Sequence, residues 1–149
     1  MTDAELDYEL VPVEAATSES KPREPVVLVV DDDAGISTAL RNLCALNNIR
    51  CIQAMSVKDG IEAVNDLEFL DVVLHGVLCD VRLPDGPGYQ VIDFCRSRCP
   101  KLPAAVMTAF PDDELIRWLQ ETGVPLLMKP FSVRSVCEWL ERARGYSAA

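Results

Sequence analysis

No apolar run in this chain reaches the roughly 20 residues that a membrane-spanning helix needs. Histidine occurs once, at His75, and basic residues are scarce: 14 Lys and Arg stand against 24 Asp and Glu, a formal charge of −10 over 149 residues. That deficit excludes a chain that grips nucleic acid by neutralising phosphates, which needs Lys and Arg in excess. The first ten residues hold four acids and no base, the wrong charge for a secretory leader. Six cysteines (Cys44, Cys51, Cys79, Cys95, Cys99, Cys137) are scattered and mostly sit in apolar periodic segments. Without an export signal they read as reduced thiols packed as small hydrophobes in a cytoplasmic protein. Cys95 and Cys99 are one helical turn apart, but no second pair stands at zinc spacing. What is plentiful is apolar material, 49% of residues, enough for one well-filled core in a chain of one-domain length.

The charge is unevenly spread. Residues 1–25 carry seven acids and two bases and end in Ser18-Glu19-Ser20-Lys21-Pro22-Arg23-Glu24-Pro25. Such a composition buries too little surface to order itself, so 1–25 is expected to be a disordered acidic tail. Within it Leu6, Tyr8 and Leu10 alternate with acids as a short strand would. A linker with a few chance apolar residues is the plainer reading, and a docking peptide is the sharper one.

From Pro25 the periodicity switches repeatedly. Val26–Val30 is a β-branched run, expected for a parallel strand buried on both faces. Asp33 offers an N-cap for a helix carrying Ile36, Leu40, Leu43 and Cys44 at helical spacing. Further strands are expected at 50–54, 76–81, 104–107 and 125–128. Further helices are expected at 57–70 (Ile61, Val64, Leu67 and Leu70 inward), 89–99, 112–121 and 132–143. Alternating strands and helices imply an α/β, doubly wound, five-stranded parallel sheet with right-handed crossovers. In such sheets functional groups gather beyond the carboxyl ends of the strands.

At those ends stand Asp31-Asp32-Asp33, Asp80, Thr108-Ala109 and Lys129-Pro130. Two carboxylates about 4 Å apart repel by roughly 4 kcal/mol at an effective dielectric near 20, so the cluster wants a divalent cation. Oxygen-only ligands on rigid strand ends suit Mg²⁺. A Lys and a Thr beside it could grip a transferring phosphoryl group. Asp31–Asp33 could otherwise cap the first helix, and Asp80 alone could start a turn.

Four segments in order, Val29-Val30-Asp31-Asp32-Asp33, Leu78-Cys79-Asp80-Val81-Arg82-Leu83-Pro84-Asp85-Gly86, Val106-Met107-Thr108-Ala109 and Met128-Lys129-Pro130-Phe131, resemble the receiver domain of bacterial response regulators. The resemblance covers about residues 26–144, leaving 145–149 as a short C-terminal tail. It implies a flavodoxin-like (βα)5 fold with strand order 2-1-3-4-5. It further implies Asp80 as phosphoacceptor and Asp31, Asp32, Asp80 and the Arg82 main-chain carbonyl as Mg²⁺ ligands. Thr108, Ala109 and Lys129 would bind the phosphoryl group, with a cis bond at Lys129-Pro130. Arg82 and Phe110 would flank the path of the hydrolytic water, and since neither can orient water, slow hydrolysis is expected. Self-phosphorylation and autodephosphorylation would be its only catalysis. The donor would be a histidine kinase or a histidine phosphotransfer protein.

The family pattern is not matched throughout. Its usual aromatic switch position is Leu126, which has no ring to swing. The connection Leu70–Gly76 is longer than usual and carries His75, read as a loop histidine. Output is expected through partner binding or self-association on helix four, strand five and helix five. There Ile116 and Leu119 are expected inward, with Leu115 and Trp118 on the flank. Val133, Val136, Cys137 and Leu140 are expected inward on helix five. Trp118, Leu126 and Trp139 would then frame an apolar patch. No nucleic-acid or membrane contact is expected of this chain. The alternatives are a receiver cut from a larger transcriptional regulator or hybrid kinase, and a Mg²⁺-dependent phosphohydrolase; for the latter, Asp80-Val81-Arg82 lacks the second acid of an Asp-x-Asp nucleophile motif.

Overall fold

A computed structural model of the chain describes residues 24–148. The expected acidic tail lies outside the described residues except for Glu24 and Pro25. Five strands form one parallel sheet: β1 (Val26–Val30), β2 (Arg50–Ala54), β3 (Gly76–Asp80), β4 (Ala104–Thr108) and β5 (Leu126–Met128). Their order is β2-β1-β3-β4-β5. Five helices alternate with them: α1 (Ala34–Leu46), α2 (Val57–Phe69), α3 (Tyr89–Arg98), α4 (Asp113–Thr122) and α5 (Val133–Arg144). Arg82–Leu83 and Gly86–Pro87 add a short antiparallel ribbon after β3. Among the described residues no helix is long and apolar enough to cross a membrane.

The sheet is covered on both faces because its central strands are apolar along their length, with a polar residue only where β3 and β4 end, at Asp80 and Thr108. β1, β3 and β4 are buried throughout. Alternate residues serve opposite layers. Leu28 and Val30 join Val64, Val91, Ile92 and Leu115 on one face. Val27 and Val29 join Leu40, Cys44, Val136 and Leu140 on the other. All six cysteines are free thiols.

Side-chain caps set where the helices begin. Asp33 accepts from the Gly35 and Ile36 amides, Ser56 from Asp59, Asp112 from Leu115 and Ser132 from Ser135. Each satisfies donors that a helix start leaves unpaired. α2 ends at Phe69, one residue before Leu70. That residue is the C-cap and is exposed, and Asp71 follows in the left-handed region at φ 59°.

The expected inward faces of α4 and α5 need correcting. Leu115 and Trp118 are buried, whereas Ile116 is exposed and Leu119 half-buried. The Trp118 ring stacks on Tyr89 at 4.7 Å between centroids, and its indole N–H donates to Asp93 of α3. On α5, Val136, Trp139, Leu140 and Ala143 are buried; Val133 is exposed and Cys137 half-buried. The Trp139 ring fills the space above Gly76, where a Cβ would lie 2.7 Å from Cη2. Its indole donates to the Ala104 carbonyl at 3.2 Å. Each helix is thus turned so that its largest ring is buried, and the tryptophans frame no solvent-facing patch.

Candidate functional site

The carboxyl ends of β1, β3, β4 and β5 converge on one crevice. Asp31 directly follows β1 and is fully buried; Asp80 ends β3 with 9% exposure; Thr108 ends β4 with 5%. The β4–β5 ladder runs one step further, from the Lys129 amide to the Thr108 carbonyl. The lysine therefore leaves the sheet next to Thr108. The Lys129–Pro130 bond that follows is cis, as the resemblance implies.

Lys129 is the hub of the charges. Its Nζ lies 3.2 Å from Asp31 Oδ2 and 3.4 Å from Asp80 Oδ2. The other oxygens of these acids face backbone amides: Asp31 Oδ1 accepts from Asp33 at 2.8 Å, and Asp80 Oδ1 from Arg82 at 3.3 Å. Asp32 is exposed, yet it offers an oxygen to the same spot. One carboxylate oxygen from each of Asp31, Asp32 and Asp80 lies within 4.8 Å of the other two. One ammonium does not balance three carboxylates. Burial, and then the charge of Asp80, push the Asp31 carboxyl above its ordinary value against the lowering pull of the Asp33 amide and Lys129. A hard divalent cation relieves that repulsion, and an all-oxygen donor set on strand ends fits Mg²⁺.

The remaining expected site residues surround this centre unequally. The Thr108 hydroxyl accepts from the Phe110 amide at 3.3 Å, and Ala109 between them is half-buried. Arg82 is exposed, and Phe110 is 75% exposed. Leu126 pairs with Val106 in the sheet and is half-buried. Leu115, Trp118 and Trp139 are not brought to the site; they are core.

Two residues essential to the loop geometry went unassigned in the sequence. Asp85 reaches across 27 and 28 positions to accept from the Lys58 and Val57 amides at 2.9 and 2.8 Å, tying the β3–α3 loop to the start of α2. Those bonds hold its carboxyl below its ordinary value. Gly88 lies so close to the Asp80 main chain that a Cβ there would fall 1.7 Å from the Asp80 carbonyl oxygen. The only sequence signal was the turn-rich run Pro84-Asp85-Gly86-Pro87-Gly88, which marks a turn without naming its partners.

This is a doubly wound domain with an acidic, lysine-bridged crevice at its strand ends. The family described as "Response regulator receiver domain" matches residues 27–141, and the chain belongs to it; these are signalling domains of two-component systems. The chain is 31% identical over 118 residues to the DNA-binding transcriptional regulator NtrC of Proteus hauseri, covering 78% of this chain and 24% of that protein. It is 30% identical over 122 residues to the transcriptional regulatory protein ZraR of Salmonella typhimurium, covering 81% and 26%. It therefore spans about a quarter of the length of these curated relatives. Among solved structures, a CheY-like receiver domain protein from Methanospirillum hungatei superposes with a TM-score of 0.70 at 19% identity, covering 80% of this chain and 92% of that one. The non-phosphorylated HemR receiver domain of Leptospira biflexa gives 0.68 at 24%, covering 83% and 97%.

Proposed function

We infer that the chain takes a phosphoryl group from a phosphohistidine, on a histidine kinase or a histidine phosphotransfer protein, onto a carboxylate oxygen of Asp80. The observation that carries this reading is the position of Lys129, within salt-bridge distance of both Asp31 and Asp80 in a crevice of three clustered acids. An Asp80 oxygen forms the new O–P bond as the P–N bond of the donor breaks, and the imidazole leaves. Lys129 is placed to pair with a phosphoryl oxygen as charge moves off the Asp80 carboxylate. The Thr108 hydroxyl accepts from the Phe110 amide and keeps its own proton for a second phosphoryl oxygen, beside the main chain of Ala109. Asp31, Asp32, Asp80 and the Arg82 carbonyl would hold Mg²⁺, which when bound neutralises charge on the phosphoryl oxygens.

The acyl phosphate biases the domain between two packings. Thr108 is the mobile contact in that change; Leu126 has no ring to swing. Output goes through a partner or through further segments of a longer regulator, as the lengths of the relatives suggest. The test is intact-mass spectrometry after incubation with acetyl phosphate and MgCl₂. Wild type should gain one phosphoryl group, Asp80→Asn none, and Asp32→Ala less at a given Mg²⁺ concentration. One phosphoryl group on Asp80→Asn at another residue would overturn the assignment.

A further inference from the structure

The pole of the domain opposite Asp80 carries an apolar surface that the acceptor chemistry does not use. It is built by the end of α2, the Leu70–Gly76 connection and the last residues described. Phe69 is 88% exposed, Leu70 65% and Val73 50%. Among the described residues Phe69 is the most exposed of the large hydrophobics, and the three stand within five consecutive residues. Scattered exposed apolar residues are ordinary, but three this close along the chain make a candidate contact surface, with Val73 opening on the trough and Leu70 on the groove beside β2. Beside it runs a trough of two adjoining cavities. One, of about 150 Å³, is walled mainly by apolar side chains, among them Val64, Leu67, Leu74 and Leu102. The other, of about 380 Å³, is lined by Glu24, Val26, His75 and Tyr146. Both share Val72, Val73 and Ala148.

Glu24 is where the described chain starts, so residues 1–23 are joined to the domain at the mouth of this trough. Those residues hold the alternating run Leu6-Asp7-Tyr8-Glu9-Leu10 followed by Val11-Pro12-Val13. We propose that residues 6–13 of this chain dock on the apolar surface of Phe69, Leu70 and Val73 and in the adjoining trough. In an extended segment Leu6, Tyr8 and Leu10 share one face while Asp7 and Glu9 share the other. That arrangement puts the apolar side chains on the protein and leaves the acids in water.

Reach permits it. Ten residues lie between Val13 and Glu24, and a flexible chain of those eleven steps spans about 18 Å on average. Val73 lines the same cavity as Glu24, and Phe69 is four residues from Val73, at most about 14 Å of chain. Tethering at this range supplies an effective concentration on the order of millimolar. A segment of only millimolar intrinsic affinity is then docked about half the time, ahead of a free partner of equal affinity at micromolar concentration. The surface lies at the start of β3 and Asp80 at its end, so docking and phosphorylation are separable.

Hydrogen exchange by mass spectrometry on the full chain tests the proposal. Tyr8→Ser/Leu10→Asp should speed amide exchange in 69–75 and 94–102 by about threefold or more, leaving the central strands unchanged. The reciprocal Phe69→Ser/Val73→Ser, at two side chains too exposed to hold up the fold, should speed exchange in 6–13. Labelling of Asp80 by acetyl phosphate should be the same in both. Four outcomes would each overturn it: residues 6–13 exchanging like a free peptide in wild type; acceleration spread evenly over the domain; acceleration along the free edge of β2 instead; or protection lost on dilution, which would make the occupant a second copy.

Discussion

Trp139→Ala is the substitution whose cost the structure specifies most fully. The side chain is 4% exposed on α5, its ring lies over Gly76, and its indole N–H donates to the Ala104 carbonyl. Truncating a buried aromatic of this size costs about 3–5 kcal/mol, because the lining cannot collapse fully into the space. Here the collapse is hindered further, since the floor is a glycine with no side chain to move inward. The Ala104 carbonyl also loses its indole partner, worth about 1 kcal/mol. A domain of this kind has about 5–15 kcal/mol in all, so the variant should lose a large part of its stability. With a urea slope of about 1–3 kcal/mol per molar, the midpoint should fall by roughly 2 M. Trp139→Phe keeps most of the ring and loses the hydrogen bond, and should cost about 1–2 kcal/mol. Trp118→Ala should cost nearer the lower end, about 3 kcal/mol, because its indole partner Asp93 stays exposed to water. The assay is equilibrium urea unfolding followed by far-UV circular dichroism, which does not depend on the indoles removed. A Trp139→Ala midpoint close to wild type with an unchanged slope would refute the burial and return the ring to the surface.

Three further outcomes are expected. Asp85 is held below its ordinary carboxylate value by the Lys58 and Val57 amides, so its contribution is fully present above pH 3.8 and is lost as pH falls through its lower folded value. Asp85→Asn should melt below wild type at pH 6, with the difference closing below about pH 3.8; a constant difference across thermal melts would sink this assignment. Phe110→Glu or Arg82→Asn should shorten the lifetime of the phosphoryl group on Asp80 in a discharge assay, by supplying a group that can orient water; unchanged lifetimes in both would remove the gating role of these positions. Gly88→Ala drives a Cβ into the Asp80 main chain and should destabilise by about 1–3 kcal/mol or more. It should also slow acetyl phosphate labelling beyond what its unfolded fraction explains, and wild-type labelling would show that the loop yields instead.

The fold was legible along the chain because its determinants are local. Val26–Val30, Gly76–Asp80 and Ala104–Thr108 are short apolar runs, and such runs separated by helical periodicity leave few arrangements besides a doubly wound sheet. Asp33 and Ser132 cap the helices that follow them by accepting from amides no more than three residues on, within the reach of sequence reading. The strand ends by themselves place Asp31, Asp80, Thr108 and Lys129 around one crevice. The rotation of α4 and α5 was decided by packing. Spacing alone left Leu115 and Trp118 as eligible for the flank as Ile116 and Leu119 were for the core. What chose between them was the stack of Trp118 on Tyr89 from another helix and the fit of Trp139 above Gly76, 63 positions upstream. The bond from Lys129 to Asp31 joins residues 98 apart, and Asp85 caps a helix 28 residues before it. Periodicity reports which side chains can share a face; only the closed sheet decides which of them meet, because their distances depend on strand order and register and not on separation along the chain.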